Sequence, residues 1–139
     1  RILDGLPLPW IGVRGIQHLA GKIGRLDVQE HKYNRLYLTH IVRMQEEIGT
    51  GGAGFRFMYA AFLQESNAHF QDDQLGACAA TLVEAGDQWR SFAAMAARLC
   101  KKREKPGDSY AAAAEHIRQC ADTEEQVFRV LKDWARQRT

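Results

Sequence analysis

The sequence predicts an all-α fold, a compact bundle of about six helices without a β-sheet. Apolar residues recur at intervals of three and four along nearly the whole 139-residue chain. The period-two alternation of a half-buried strand is never sustained. Capping residues, glycines and a Pro-Gly pair divide the periodic stretches into helix-sized segments with short connections. These three observations favour one helical core.

The first three helices are predicted from their apolar stripes. The first is loosened by glycines and contains Ile16, Leu19, Ala20 and Ile23. The second is closed by Gly49, where a helix end favours a residue that tolerates positive φ; its stripe contains Tyr33, Leu36, Tyr37, Ile41, Met44 and Ile48. The third begins at once and contains Phe55, Met58, Tyr59, Phe62 and Leu63.

The remaining three helices have clearer boundaries. The fourth and longest starts after Asp72 or Asp73, either of which can cap it. It should end near Lys105, because Pro106-Gly107 stops a helix. The fifth starts at Tyr110, and the capping box Thr123-Glu124-Glu125-Gln126 opens a sixth. Six aromatic residues on these stripes are predicted to be core residues: Phe55, Tyr59, Phe62, Trp89, Phe92 and Trp134.

Composition indicates one globular domain over residues 1–139, with 45% hydrophobic and 26% charged residues. No apolar run is long enough for a membrane span and no signal-peptide core is present, so we expect a soluble, cytoplasmic protein without a membrane partner. Because the chain opens on arginine and a Pro-rich segment up to Trp10, we expect it to be the C-terminal part of a longer protein.

Charge is unevenly distributed. Residues 90–139 carry 11 Lys and Arg against 7 Asp and Glu, while residues 1–89 carry 8 against 10. Two roles are open for the basic cluster: it can complement the dipole at the C-terminal end of a helix, or it can bind an acidic partner. The cluster consists of Arg98, Lys101, Lys102, Arg103 and Lys105. A pI of about 8.5 and the lack of a helix-turn-helix pattern do not favour nucleic-acid binding.

No catalytic centre, metal site or cofactor site is predicted. The cysteines Cys78, Cys100 and Cys120 lack a Cys-x-x-Cys pair and occupy apolar helix positions, so we expect reduced, packed thiols. Glu65 and His69 share a helix face, which suits a metal or a proton relay, but a single pair is more simply a local salt bridge or hydrogen bond.

The most unusual stretch is Gly49-Thr50-Gly51-Gly52-Ala53-Gly54, followed by Phe55-Arg56. Glycines allow close backbone approach, and a helix start with Arg56 offers donors for phosphate or carboxylate, so the pattern suits an anion site. The competing interpretation is structural: Gly49 ends one helix and the other glycines permit a tight reversal.

The segment Ile48–Glu65 resembles the helical domain of unknown function found C-terminal to the catalytic domain in butirosin biosynthesis protein H-like proteins. Residues 12–20 and the helix around Trp89 are also similar to that domain. The resemblance implies an accessory domain of a papain-like cysteine acyltransferase in natural-product biosynthesis, which transfers an acyl group from a carrier-protein thioester to an amine.

The residues that match the family pattern are Gly49, Thr50, Gly51, Gly52, Phe55, Arg56, Tyr59 and Glu65, and the resemblance assigns them no chemical role. Our ligand-binding candidates, which would shape an acyl-donor or substrate site, are Gly49, Thr50, Gly51, Gly52, Arg56, Tyr59 and Glu65. The implied partners are an upstream catalytic domain and an acyl carrier protein, and a homo-oligomer is left open. Because nothing in this chain corresponds to the N-terminal catalytic domain, its cysteines should not inherit the nucleophile's role. The alternative is a non-catalytic interaction or oligomerisation bundle.

Overall fold

A computed structural model describes Leu8 and residues 10–26, 31–49 and 51–138. In this part of the chain 82% of residues are helical and none is in a strand, which confirms the all-α prediction. Five α-helices are described, with a 3-10 turn, Ala53–Phe55, directly before the third. They are α1 (Gly12–Gly24), α2 (His31–Glu46), α3 (Arg56–Phe70), α4 (Asp73–Cys100) and α5 (Tyr110–Arg136).

The prediction of six helices was wrong by one, because the expected fifth and sixth helices form one continuous α5. Thr123, the expected N-cap, lies inside it and bonds through its hydroxyl to the Gln119 carbonyl at 2.9 Å. The actual N-cap is Ser109, whose hydroxyl accepts the Ala112 N–H at 3.0 Å. The apolar stripe continues across the capping-box pattern, and burying it against α4 favours continuing the helix over restarting it.

The start of α4 is as predicted, and its end is not. The Asp72 carboxylate caps the helix by accepting the Gln74 N–H at 3.0 Å. At 28 residues α4 is the longest helix described, but it ends at Cys100 instead of near Lys105. Lys102 takes a φ of 53°, and the Arg103 N–H bonds to the Arg98 carbonyl at 3.0 Å, which is a left-handed helix cap.

The helices α2, α3 and α5 pack along α4. The helix α5 runs antiparallel to it, since Trp134 near the end of α5 bonds to Asp72 at the start of α4. On another side, α2 and α3 follow one another along α4. The Cys100 thiol donates to the Arg35 carbonyl of α2 at 3.5 Å, whereas a Cβ at Gly86 would lie 2.6 Å from the Phe57 ring of α3. The α2–α3 connection therefore lies beside the middle of α4, and α1 packs on α5.

Two apolar clusters form the core, and α4 contributes to both. One surrounds Trp89 and Phe92, which are 1% and 0% exposed, as predicted. The prediction was wrong for Phe55 and Phe62, which are 52% and 58% exposed. The helix α3 instead meets α4 with Ala60, Leu63 and the Phe57 ring, and Phe55 and Phe62 lie on the exposed side.

Two exposed apolar faces result from this packing. The α3 face consists of Phe55, directly before α3, with Met58 and Phe62. The α2 face consists of Tyr33, Leu36 and Met44, with Ile48 two residues after the end of α2. Among α2 residues 32–46, the buried positions are Asn34 and Leu38, so most of the stripe that predicted the helix is on its outer side. Within the described chain, no helix combines the length and apolarity that a bilayer crossing requires.

Candidate functional site

The glycine-rich segment is a sharp turn between α2 and α3. Gly49, Gly51, Gly52 and Gly54 have φ values of 66°, 68°, 85° and 55°, a region that L-amino acids with a side chain rarely adopt. Gly49 has the positive φ that was predicted, but α2 ends three residues earlier, at Glu46. The Ala53 N–H donates to Glu46 Oε1 at 3.1 Å, which ties the turn to the last residue of α2. Thr50, one of the predicted site residues, lies outside the described residues.

Arg56 begins α3 and points into the protein. Its Nε and Nη2 atoms donate to the two carboxylate oxygens of Glu124 at 2.8 and 3.2 Å. Its Nη1 atom donates to the carbonyls of Ala53 and Gly54 at 3.3 and 3.1 Å, and to Gln45 Oε1 at 3.5 Å. All three guanidinium nitrogens therefore have acceptors within the turn and on α5.

Glu124 is the buried counterpart of Arg56. Its side chain is 6% exposed and that of Arg56 is 16% exposed. The Trp89 indole N–H from α4 donates to Glu124 Oε1 at 2.7 Å, and the guanidinium carbon of Arg56 lies 4.5 Å from the centroid of the Trp89 ring. A buried carboxylate with a bidentate arginine and a third donor is a well-satisfied ion pair. The cluster connects α3, α4 and α5.

The partners of Arg56 lie within the protein. They are carbonyls of the turn and the carboxylate of Glu124, which is 68 residues away. The sequence interpretation missed Glu124 and Trp89 as members of this site. One signal was present: Glu124 lies three or four residues from Cys120 and Val127, on the buried stripe of α5. An acidic residue on such a stripe needs a buried partner.

The nearest thiol to this cluster is unsuited to nucleophilic chemistry. Cys120 is fully buried, and burial, together with the Glu124 carboxylate, raises the pKa of its thiol to about 12. At pH 7 the thiol is therefore protonated, whereas the thiolate is the reactive form. Burial also raises the pKa of the Cys78 thiol. All three cysteines are free, as expected for packed, reduced thiols.

The other predicted site residues are spread along α3 and the turn. Gly49 and Gly51 are exposed, whereas Gly52 is buried against the Glu46 and Arg90 side chains. The half-buried Tyr59 ring stacks on Phe62 and on Phe128 of α5, and burial raises the pKa of its hydroxyl. Glu65 is exposed on α3, nine residues and ~13 Å beyond Arg56. The Arg56 side chain thus bonds to the turn that contains Gly52, whereas Glu65 lies apart from both.

Metal-ligating residues are not clustered in the described chain. No group of three or more His, Cys, Asp or Glu side chains among the residues the structure describes could hold a metal ion. Glu65 and His69 are both exposed, and the His69 ring packs edge-on against Phe70 at 4.9 Å between centroids.

The basic cluster divides into one bonded and four exposed residues. Arg98 donates to both oxygens of Asp108 at 2.6 and 2.8 Å, and these bonds hold the pKa of the Asp108 carboxyl far below its usual range. Arg98 therefore fastens the α4–α5 loop. Lys101, Lys102, Arg103 and Lys105 are exposed, so they form the part of the cluster that a partner could reach.

Comparison with known proteins matches one family model, described as a domain of unknown function (DUF4872), over residues 1–131. No curated protein and no solved structure matches the chain. The family description names no reaction, substrate or partner. The matched span covers nearly the whole chain, including the glycine turn, Arg56, Trp89 and Glu124, and the chain therefore belongs to the DUF4872 family.

Proposed function

We propose that this is a non-catalytic accessory domain that docks through its α3 face on an upstream catalytic domain. The observation that carries the proposal is the exposure of three large apolar side chains at the start of α3. Phe55, Met58 and Phe62 are 52%, 61% and 58% exposed on the side turned away from α4. Adjacent apolar side chains of this size are typical of the centre of a protein interface.

The internal bonding of the most polar cluster supports a non-catalytic role. Arg56, Glu124 and Trp89 satisfy one another, and the nearby Cys120 thiol is buried. In this proposal Arg56 and Gly52 hold the turn in shape, while Gly49, Gly51 and Glu65 belong to the outer surface that a partner or substrate would meet.

The resemblance of residues 48–65 to the domain in butirosin biosynthesis protein H-like proteins supports a more specific proposal. Here the upstream domain is a papain-like acyltransferase of natural-product biosynthesis, and its acyl donor is a carrier protein. The exposed residues Lys101, Lys102 and Arg103 suit docking of an acidic carrier protein, because opposite charges speed the association of two proteins. Salt screens this attraction, so docking should weaken as the salt concentration rises.

The test uses the full-length protein that carries this domain. We expect the double variant Met58→Asp/Phe62→Asp to lower acyl transfer by at least ~10-fold, since truncating the apolar centre of an interface costs more than ~1 kcal/mol. The melting temperature of the isolated domain should stay unchanged, because both side chains are exposed. Val130→Asp, a change of an exposed apolar residue on α5, is the matched control. Full transfer by the folded double variant would overturn docking through this face.

The alternative is a self-contained interaction or oligomerisation bundle. The parent reading frame discriminates between them. An upstream domain with a cysteine and a histidine supports the accessory role, whereas a start codon directly before Arg1 favours the alternative.

A further inference from the structure

The α2 face is separate from the α3 face and has its own geometry. Positions 33, 36, 37, 40 and 44 recur at intervals of three and four, so they lie on one side of α2. Tyr33, Leu36, Met44 and Ile48 are 55%, 63%, 48% and 51% exposed. The side that packs inward is formed by other positions, including Asn34 and Leu38. The α2 helix is therefore apolar on two sides.

The exposed apolar area is close to what one half of a dimer interface contains. Large side chains of this kind present on the order of 150–200 Å² each, so four half-exposed ones supply on the order of 350 Å². A standard interface buries ~800 Å² per partner, of which a little over half, ~450 Å², is apolar. The half-buried Tyr37, which stacks on Tyr33, adds to this area.

The charges at the two ends of the α2 face are complementary to each other. Lys32 is exposed at the start of α2. Glu47 lies just after its end and has a side chain 63% exposed, paired with Arg43 on the surface. If a second copy of α2 lies antiparallel across the first, with the two His40 residues at the crossing point, residue 32 of one copy faces residues 47 and 48 of the other. The same register places Leu36 opposite Met44.

We propose that two copies of this chain associate through their α2 faces, with the two α2 helices antiparallel about a two-fold axis near His40. A two-fold interface is self-complementary, and the α2 face meets this condition in both its apolar pairs and its end charges. This inference depends only on the α2 face, so it is independent of the proposed docking through the α3 face.

The first test measures mass by light scattering and sedimentation over chain concentrations of about 1 to 200 µM, because dimers form by mass action. We expect a concentration-dependent dimer. Leu36→Glu should raise the dissociation constant by at least ~10-fold with an unchanged helical spectrum, since Leu36 is 63% exposed. Met58→Glu, on the α3 face, is the control and should leave the dimer intact. A wild-type chain that stays monomeric, or a dimer indifferent to Leu36→Glu, would overturn the proposal.

The second test concerns the antiparallel register. Glu47→Lys alone places like charges at both ends of the interface, and so does Lys32→Glu. Each change should weaken the dimer several-fold at low salt. The double variant Lys32→Glu/Glu47→Lys restores opposite charges across the axis and should return the dissociation constant to within about twofold of the wild-type value. A double variant as weak as the single variants would contradict the antiparallel arrangement.

Discussion

Among individual residues, Arg56 has the most extensive bonding in the site, because one side chain joins three structural elements. It bonds to carbonyls of the turn, pairs with Glu124 on α5 and lies over the Trp89 ring of α4. Both members of the ion pair are largely buried. Removing one member of a buried pair leaves the other charge without compensation, which costs far more than losing a surface pair.

We therefore expect Arg56→Ala to lower the free energy of unfolding by ~3 kcal/mol, measured by urea denaturation. Arg129→Ala is the matched control, because Arg129 pairs with Glu125 in an exposed pair of one helix, and it should cost less than ~0.5 kcal/mol. In a double-mutant cycle, Arg56→Met and Glu124→Gln together should cost less than the sum of the single changes. An unchanged denaturation midpoint for Arg56→Ala would instead leave Arg56 available for a ligand.

The sequence identified the unusual position of Arg56 but not its partner. The glycines and the following arginine are contiguous, so local chemistry was enough to single them out. Glu124 is distant in sequence and part of a capping-box pattern that predicted a helix start. Only the packing of α5 against α4 decides that this carboxylate faces inward, and single-sequence periodicity contains no information about which helices meet.

The turn glycines give a second prediction for single residues. Gly51→Ala should cost ~1 kcal/mol, because φ at this position is 68°. Gly52→Ala should cost more, since its Cβ would also lie 3.2 Å from Glu46 Oε2. Gly21→Ala in α1 is the control of opposite sign: its Cβ has ordinary contacts, and alanine should stabilise the helix by up to ~1 kcal/mol. Equal thermal stability of the Gly51 and Gly52 variants and the wild type would show that neither glycine is required.

For whole helices, periodicity predicted where helices form more reliably than which side of each is buried. The helices α2 and α3 were located correctly, yet Tyr33, Leu36, Phe55 and Phe62 are exposed. Both helices carry apolar residues on more than one side, and α3 uses the small Ala60 for its contact with α4. The local stop signals also had limits. The Pro106-Gly107 pair follows the end of α4 but does not set it, because the left-handed Lys102 ends the helix earlier.

The continuity of α5 is tested by proline at position 122. Asp122 is exposed, so its side chain contributes little to packing. Inside a continuous helix, Asp122→Pro removes one backbone bond and clashes with the preceding turn, at a cost of ~3 kcal/mol. If a new helix began at Thr123, the same change would be tolerated. Ala111→Pro, in the first turn of α5, loses no intrahelical bond and is the control. Thermal unfolding of the two variants, followed by circular dichroism, decides between the two arrangements.

In the molecule as a whole, α4 and α5 are the elements that unite the two apolar clusters. Trp89 and Phe92 of α4 meet Ile117 of α5 in one cluster, and Leu75 and Leu82 meet Val127 and Leu131 in the other. The Arg56–Glu124 pair and the glycine turn lie near the boundary between them. Because the chain bends here, α2 and α3 pack one after the other along α4. Each of them therefore covers one of the two apolar clusters. The turn is therefore needed for the packing of α2 and α3 on α4, even though its outer residues are exposed to solvent.

This arrangement predicts one cooperative unfolding transition for both clusters. Leu82→Ala and Phe92→Ala each remove fully buried side chains and should cost ~2–5 and ~3–5 kcal/mol. The two positions are ten residues apart on α4, or ~15 Å, so their effects should add in the double variant. Each variant should shift the same single urea transition, and it should speed hydrogen exchange by the same factor for the slowest amides in both halves of α4. Two resolved transitions, each shifted by only one of the variants, would show that the clusters unfold independently and that α4 does not couple them.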